Sequence, residues 1–190
     1  MTLMQRCRCS FSCAALLLVM CATATATTLE RMSLARMSQT ATLIVRARCL
    51  GNSAGWDAGE IWTLTSFSVE EVWRGSAPPR ITVRLLGGRA GNLTSSVSGV
   101  PRFRSGEEVI LFLESTPRGD FSVVSWEQGT FRIHNQLHPS RENVTQDTAT
   151  FETFDPASRR FEATGIRNVP IEIFRANVEA ALRNENGRKQ

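Results

Sequence analysis

The sequence predicts a mainly β domain of the α+β class: a small antiparallel barrel with one helix before it and one after it. Three observations predict it. Short β-branched and alternating apolar runs follow one another between residues 42 and 133, separated by turns bearing Gly and Pro. One of these runs, Glu107 to Glu114, is apolar on both faces, as a central strand covered from each side must be. Apolar residues at helical spacing lie at both ends of the series. Antiparallel strands in a run, with helices at the ends, belong to that class.

The chain has 190 residues, a length suited to one domain. Residues 1–26 read as a signal peptide: Arg6 and Arg8 give a positive start, Ala14 to Met20 an apolar stretch, and Ala22-Thr23-Ala24 and Ala24-Thr25-Ala26 overlapping cleavage sites. A single domain over 27–183 and a polar tail over 184–190 follow. The expected destination is secreted or periplasmic, with no transmembrane span after cleavage. Two alternatives stand beside it. An uncleaved anchor needs about 20 apolar residues, more than this stretch supplies. A lipid anchor on Cys21 would place Met20 where a small residue is expected.

Thr27-Thr28-Leu29-Glu30 matches a capping box and predicts a short helix carrying Leu29, Met32 and Ala35 on one face. From Thr42 to Cys49 the pattern becomes a strand with Val45, Ala47 and Cys49 on one side, and Gly51-Asn52-Ser53 with Gly55 and Gly59 reads as a loop. Ile61, Phe67 and Val69 then share one parity, whereas Val72 does not. A bulge near Glu70-Glu71 would return Val72 to the core face and let the sheet coil. Ile81 to Leu85 alternates. Phe121–Trp126 and Gly129–Ile133 are expected to complete a meander with the central strand. Thr150–Phe154 and Arg160–Ala163 predict a hairpin around Asp155-Pro156-Ala157-Ser158. Asn168 and Pro170 signal the last helix, with Ile171, Phe174, Val178 and Ala181 or Leu182 as its apolar stripe.

Removing the leader's two arginines leaves 20 basic and 18 acidic side chains, a net charge of +2. That balance is too even for an electrostatic footprint on nucleic acid or anionic lipid. Cys7, Cys9, Cys13 and Cys21 lie in the leader, so Cys49 is alone in the mature chain and stability must come from packing. At the end of an apolar run, Cys49 reads as a small buried hydrophobe.

The segments Ala41–Arg48, Val72-Trp73-Arg74-Gly75 and Ser105–Leu113 together resemble a set of uncharacterised exported bacterial proteins. More distantly the chain resembles netrin-like modules, among them the inhibitory domain of the tissue inhibitors of metalloproteinases. The resemblance covers about residues 29–133 and the terminal helix, and implies an OB-type barrel flanked by helices. Those inhibitors chelate zinc with a disulfide-tethered N-terminal cysteine. Here the expected mature terminus is near Thr27 and no partner cysteine exists, so no functional residue carries over.

Motifs for catalysis are missing from the sequence: no G-x-S-x-G, H-E-x-x-H, P-loop or dinucleotide fingerprint occurs. His134 and His138 have a ligand-like spacing, but Pro139 and polar neighbours place them in a loop, and no third ligand is nearby. No metal or cofactor is expected. Asn92-Leu93-Thr94 and Asn143-Val144-Thr145 match a glycosylation pattern that carries no weight by itself. The segment that points to binding is the long connection from Gly87 to Ser105, with Gly87, Gly88, Asn92, Pro101, Arg102 and Phe103 as candidate contacts. Its bland reading is a closing loop in which Val100 and Phe103 plug the barrel. A strand follows its glycines, not a helix, so phosphate is disfavoured. The expected function is an exported non-catalytic binding or envelope-associated module meeting a protein or glycan. The alternatives are an enzyme of unrecognised type using His134, Cys49 or scattered carboxylates, and single-stranded nucleic-acid binding on the barrel face.

Overall fold

The computed structural model describes residues 30–135, 142–146, 148, 153–162 and 165–188. The described chain is mostly β, with two α-helices. The elements in order are α1 (Leu34–Thr40), β1 (Leu43–Asp57), β2 (Glu60–Arg74), β3 (Arg80–Leu86), β4 (Gly88–Ala90), β5 (Leu93–Ser95), β6 (Glu108–Ser115) and β7 (Phe121–Val123). A 3-10 turn (Trp126–Gly129) leads to β8 (Thr130–Asn135), β9 (Glu142–Gln146), β10 (Thr153–Asp155), β11 (Arg160–Glu162), β12 (Val169–Pro170) and α2 (Ile171–Arg188).

Five strands form a ring, β1–β2–β3–β7–β6, which returns to β1. All its pairings are antiparallel except the short parallel contact of β3 with β7 at Val83 and Phe121. β6 is the hinge of this arrangement. One edge pairs with β1; the other pairs with β8 in its first half and β7 in its second. β9 and β12 then extend the sheet from β8.

The two-faced apolar character of β6 is thereby explained. Val109, Leu111 and Leu113 join Val45, Ala47, Cys49, Phe67 and Val83 in one core cluster. Ile110 and Phe112 point the other way, into a second cluster with Ile44, Phe131, Val144, Phe174 and Val178. The stripe of α2 is buried as expected, and Phe174 stands 4.7 Å from the ring of Phe131 and 6.4 Å from that of Phe112. The stripe is what commits this helix to the sheet, because an isolated helix of such length is marginal in water.

Several expectations are corrected. α1 does not start at the Thr27 capping box, of which only Glu30 is described. Ser33 caps it, accepting a 3.2 Å hydrogen bond from Arg36 N, while Glu30 bridges to Phe154. The face it buries carries Met37, whereas Ala35 is exposed. The glycine-bearing segment after Cys49 is not a loop. β1 continues to Asp57, because β2 supplies a full antiparallel partner and confines the turn to Ala58-Gly59. The expected bulge in β2 is present, with Glu70 skipped between the Arg46–Glu71 and Ala47–Val69 pairs. Val72 nonetheless stays 41% exposed. β3 pairs with β2 only from Trp62 to Ser68 and so does not reach it.

The expected meander is also broken. Left-handed Ser125 and Trp126 redirect the chain through the 3-10 turn, and β8 pairs with β6 instead of β7. The hairpin appears as β10–β11; Thr150–Glu152 and Ala163 lie outside the described residues. Finally, α2 runs on to Arg188 through most of the segment read as a polar tail.

Candidate functional site

A bulge at Leu50 divides β1. Up to Cys49 the strand has β2 on one edge and β6 on the other, the last backbone ties being Cys49 N–H to Glu107 O and Gly106 N–H to Cys49 O, each at 2.8 Å. Beyond Leu50, from Gly51 to Asp57, it pairs with β2 alone. The bulge also shifts parity, so Asn52 and Ala54 inherit the face that Ala47 and Cys49 occupied. Asn52 is fixed there: its amide oxygen accepts from Thr65 Oγ1 at 2.6 Å, and its Nδ2 donates to Phe103 O at 2.8 Å.

The hairpin closes on the pair Asp57–Glu60, with Ala58 and Gly59 both left-handed, as a two-residue turn demands. A closing pair of this kind is hydrogen-bonded, and bonded pairs alternate along the ladder. The N–H and C=O of Asn52, Ala54 and Trp56 therefore point away from β2. Among the described residues they meet no backbone partner, and residues 52–56 are exposed.

Opposite this open edge stands the connection from Gly87 to Ser105. It folds into the β4–β5 hairpin and then returns through Val100 and Phe103, both 5% exposed. Phe103 packs edge-on against Phe67 with centroids 5.0 Å apart, and both Val100 and Phe103 belong to the first core cluster. Between the connection and β1 lies a cleft of about 350 Å³, lined among others by Asn52, Ala54, Arg89, Pro101 and Arg102. On the outer face of the same edge lies a groove of about 560 Å³ over Gly51, Ser53, Leu64, Ser66, Arg80 and Thr82.

The candidate residues of the connection divide by role. Gly88, Pro101, Arg102 and Phe103 line the cleft. Gly87 is buried beside it, donating its N–H to Ile61 O and accepting from Thr63 Oγ1, each at 2.7 Å. Gly87 and Gly88 are left-handed or nearly so, at φ +89° and +134°. A Cβ on Gly87 would stand 2.8 Å from Ser95 O, and one on Gly88 would run into Thr63 Oγ1. Gly88 is a glycine because β4 lies so close to β2, and Gly87 because β5 passes so close at Ser95. Asn92 sits apart, exposed in the β4–β5 turn.

Sequence reasoning missed the β1 half of this site. Its signal was present: Gly51 and Gly55 are strand-interior glycines at which a Cβ would meet nothing within 4 Å. Strand glycines without a packing reason mark places where another chain or a ligand can come close.

The electrostatics are uneven. Arg80, Arg89, Arg102 and Arg104 are exposed and form no ion pair among the described residues; Arg102 Nη2 donates to Ser95 O at 3.2 Å. Nearby acids are occupied: Glu107 pairs with Arg132, and Asp57 with Arg84 and Arg118. Elsewhere on β1 the arginines are ion-paired. Arg46 meets Glu142 at 2.7 Å and Glu108 at 2.9 Å, and hydrogen bonding to Glu142 raises its already high pKa despite burial. Its Nε makes no hydrogen bond, although Glu70 Oε2 lies 3.3 Å away.

The other candidates fare differently. Burial pushes the Cys49 thiol up, which disfavours the thiolate a nucleophile needs. His134 is exposed on β8, in a strand and not the loop expected; His138 lies outside the described residues. A separate cleft of about 470 Å³ separates the Arg31–Leu34 segment from Asp155, whose carboxyl the Ala157 N–H holds below its ordinary range. Gln128 crosses its floor with both amide ends engaged, taking Met32 N–H at 2.8 Å and donating to Glu30 O at 3.0 Å. No described helix is long and apolar enough to cross a membrane.

Compared with known proteins, the chain matches no family model, and no curated protein matches it.

Proposed function

We propose that this chain is an exported, non-catalytic binding module, an OB-type barrel that meets a protein or glycan of the envelope or extracellular space at the mouth between β1 and the 87–105 connection. The observation that carries the reading is the mouth itself. An unpaired strand edge and Pro101, Arg102 and Phe103 line one cleft, whose arginines lack carboxylate partners among the described residues. A barrel of OB type is supported by the strand order around the ring and by the parallel β3–β7 contact, and the netrin-like resemblance of the sequence agrees with it. A non-catalytic role is supported by the burial of Cys49 and by the engagement of the Glu107 and Asp57 carboxylates with guanidinium groups. Export rests on the leader pattern of residues 1–26.

A photo-crosslinking residue at Arg102, with one at Glu172 on α2 as control, tests the reading in the producing cells. Adducts with an envelope macromolecule are expected from position 102 and not from 172. Equal labelling at the two positions, or none at 102, would remove the mouth as the binding site. Mass spectrometry of the mature protein should place its N-terminus within a few residues of Thr27.

A further inference from the structure

We infer that the mouth takes an extended, carboxylate-bearing peptide of a partner protein as an added strand on β1, paired with Asn52, Ala54 and Trp56. The inference rests on the binding reading above and narrows its ligand to one chemistry. The first ground is the edge. Exposed sheet edges are ordinarily guarded by Lys, by Pro, by inward charges or by a covering loop. Gly51-Asn52-Ser53-Ala54-Gly55-Trp56-Asp57 has no Lys, Arg or Pro; the connection's hydrogen bonds to it fall near its start, at Asn52 and the preceding Leu50, and Gly88 packs against the Ala54 side chain without pairing with its backbone. Three successive outward-facing backbone pairs stand ready for a partner's N–H and C=O groups.

The second ground is what flanks that edge. Side chains of an added strand alternate between the two faces of the sheet. One set would fall on the outer face beside Gly51 and Ser53, and the other over the cleft at Ala54, Arg89 and Arg102. Recognition by strand addition uses this division: main-chain bonds hold the peptide, and pockets for alternate side chains select it. The glycines leave the outer face over β1 open, with space where a Cβ would stand.

Charge then selects the occupant. Arg89 and Arg102 line the cleft face, neither with a carboxylate partner among the described residues, whereas Arg80 on β3 stands beyond β1 and β2. Guanidinium groups favour carboxylates through paired, charge-assisted hydrogen bonds. The far end of the edge carries Asp57 and exposed Glu60, so the peptide's carboxylates belong at the Asn52 end.

The test is a selection of displayed random dodecapeptides on the folded domain. Enriched sequences should carry Asp or Glu at alternating positions. Their affinity should fall at least tenfold with Ala54→Pro, which removes an outward N–H and leaves the β1–β2 ladder intact, and at least tenfold with Arg102→Glu. A measurement on the unmodified protein guards against misfolding of the proline variant: bound peptide should slow amide exchange at Asn52, Ala54 and Trp56. Peptides that bind Ala54→Pro normally but lose Arg102→Glu, with no added protection on β1, would overturn strand addition and keep the mouth. Peptides indifferent to both changes, or no enrichment at all, would overturn the inference, and the former would remove the mouth as well. A dimer in sedimentation that Ala54→Pro dissolves would give the edge to a second copy and overturn the proposed occupant.

Discussion

The two halves of β1 are one continuous strand with opposite fates. From Leu43 to Cys49 the strand is sandwiched between β2 and β6, with Val45, Ala47 and Cys49 buried in one core cluster and Ile44 in the other, beside the half-buried, ion-paired Arg46 and Arg48. From Gly51 to Asp57 it keeps one neighbour and is largely exposed. A single bulged residue, Leu50, separates them. The difference teaches that a strand's role is set by its second edge. Where β6 takes that edge the strand supports a core, and where β6 is absent it offers its backbone outward.

The sharpest way to break this contrast is to loosen the buried half from behind. Phe174→Ala, which empties the cluster against which Ile44 packs, should cost about 3–5 kcal/mol in chemical denaturation. Asn177→Ala, on the exposed side of the same helix, should stay within about 0.5 kcal/mol. Within β1 itself, Cys49→Ser buries a hydroxyl in an apolar site and should cost about 1–3 kcal/mol. Ser53→Ala, four residues on, should stay within about 0.5 kcal/mol. Gly55→Val reverses the sign: a Cβ there meets nothing, strand propensity improves, and stability should hold or rise by up to about 1 kcal/mol. If the outer half serves binding, the same variant should weaken capture of the peptides that the wild-type domain selects.

The smallest effect concerns the thiol. Burial raises the Cys49 pKa above its ordinary value near 9. The unfolded chain therefore releases that proton first, and the folded state keeps a stabilising contribution below pH 9 that fades as pH rises through the folded pKa. A pH titration of the midpoint above 9 should fall more steeply for the wild type than for Cys49→Ala. Because Cys49 is free, reductant should leave the melting temperature unchanged at neutral pH.

The elements that packing dictates could be read from the sequence. The two-faced run of β6, the alternation of Val45, Ala47 and Cys49, and the α2 stripe each record a buried face in residue periodicity. What could not be read depends on partners distant in sequence. Gly51-Asn52-Ser53 looks like a loop because its residues favour turns, and only pairing with Leu64–Ser66 makes it a strand. Val72 looked like a core residue because coverage by β3 cannot be judged from β2 alone. The connection's half of the site was visible through its length and glycines. The β1 half was hidden, since an open edge is defined by the strand that fails to lie beside it.

Amide hydrogen exchange along β1 in the unliganded domain tests that central contrast directly. Amides bonded to β6 or β2 from Leu43 to Cys49 should exchange only on global unfolding, those of Gly51, Ser53 and Gly55 at intermediate rates, and those of Asn52, Ala54 and Trp56 close to the rate of an open chain. Uniform protection from Leu43 to Asp57 would mean that the second edge is occupied throughout, and would contradict the account.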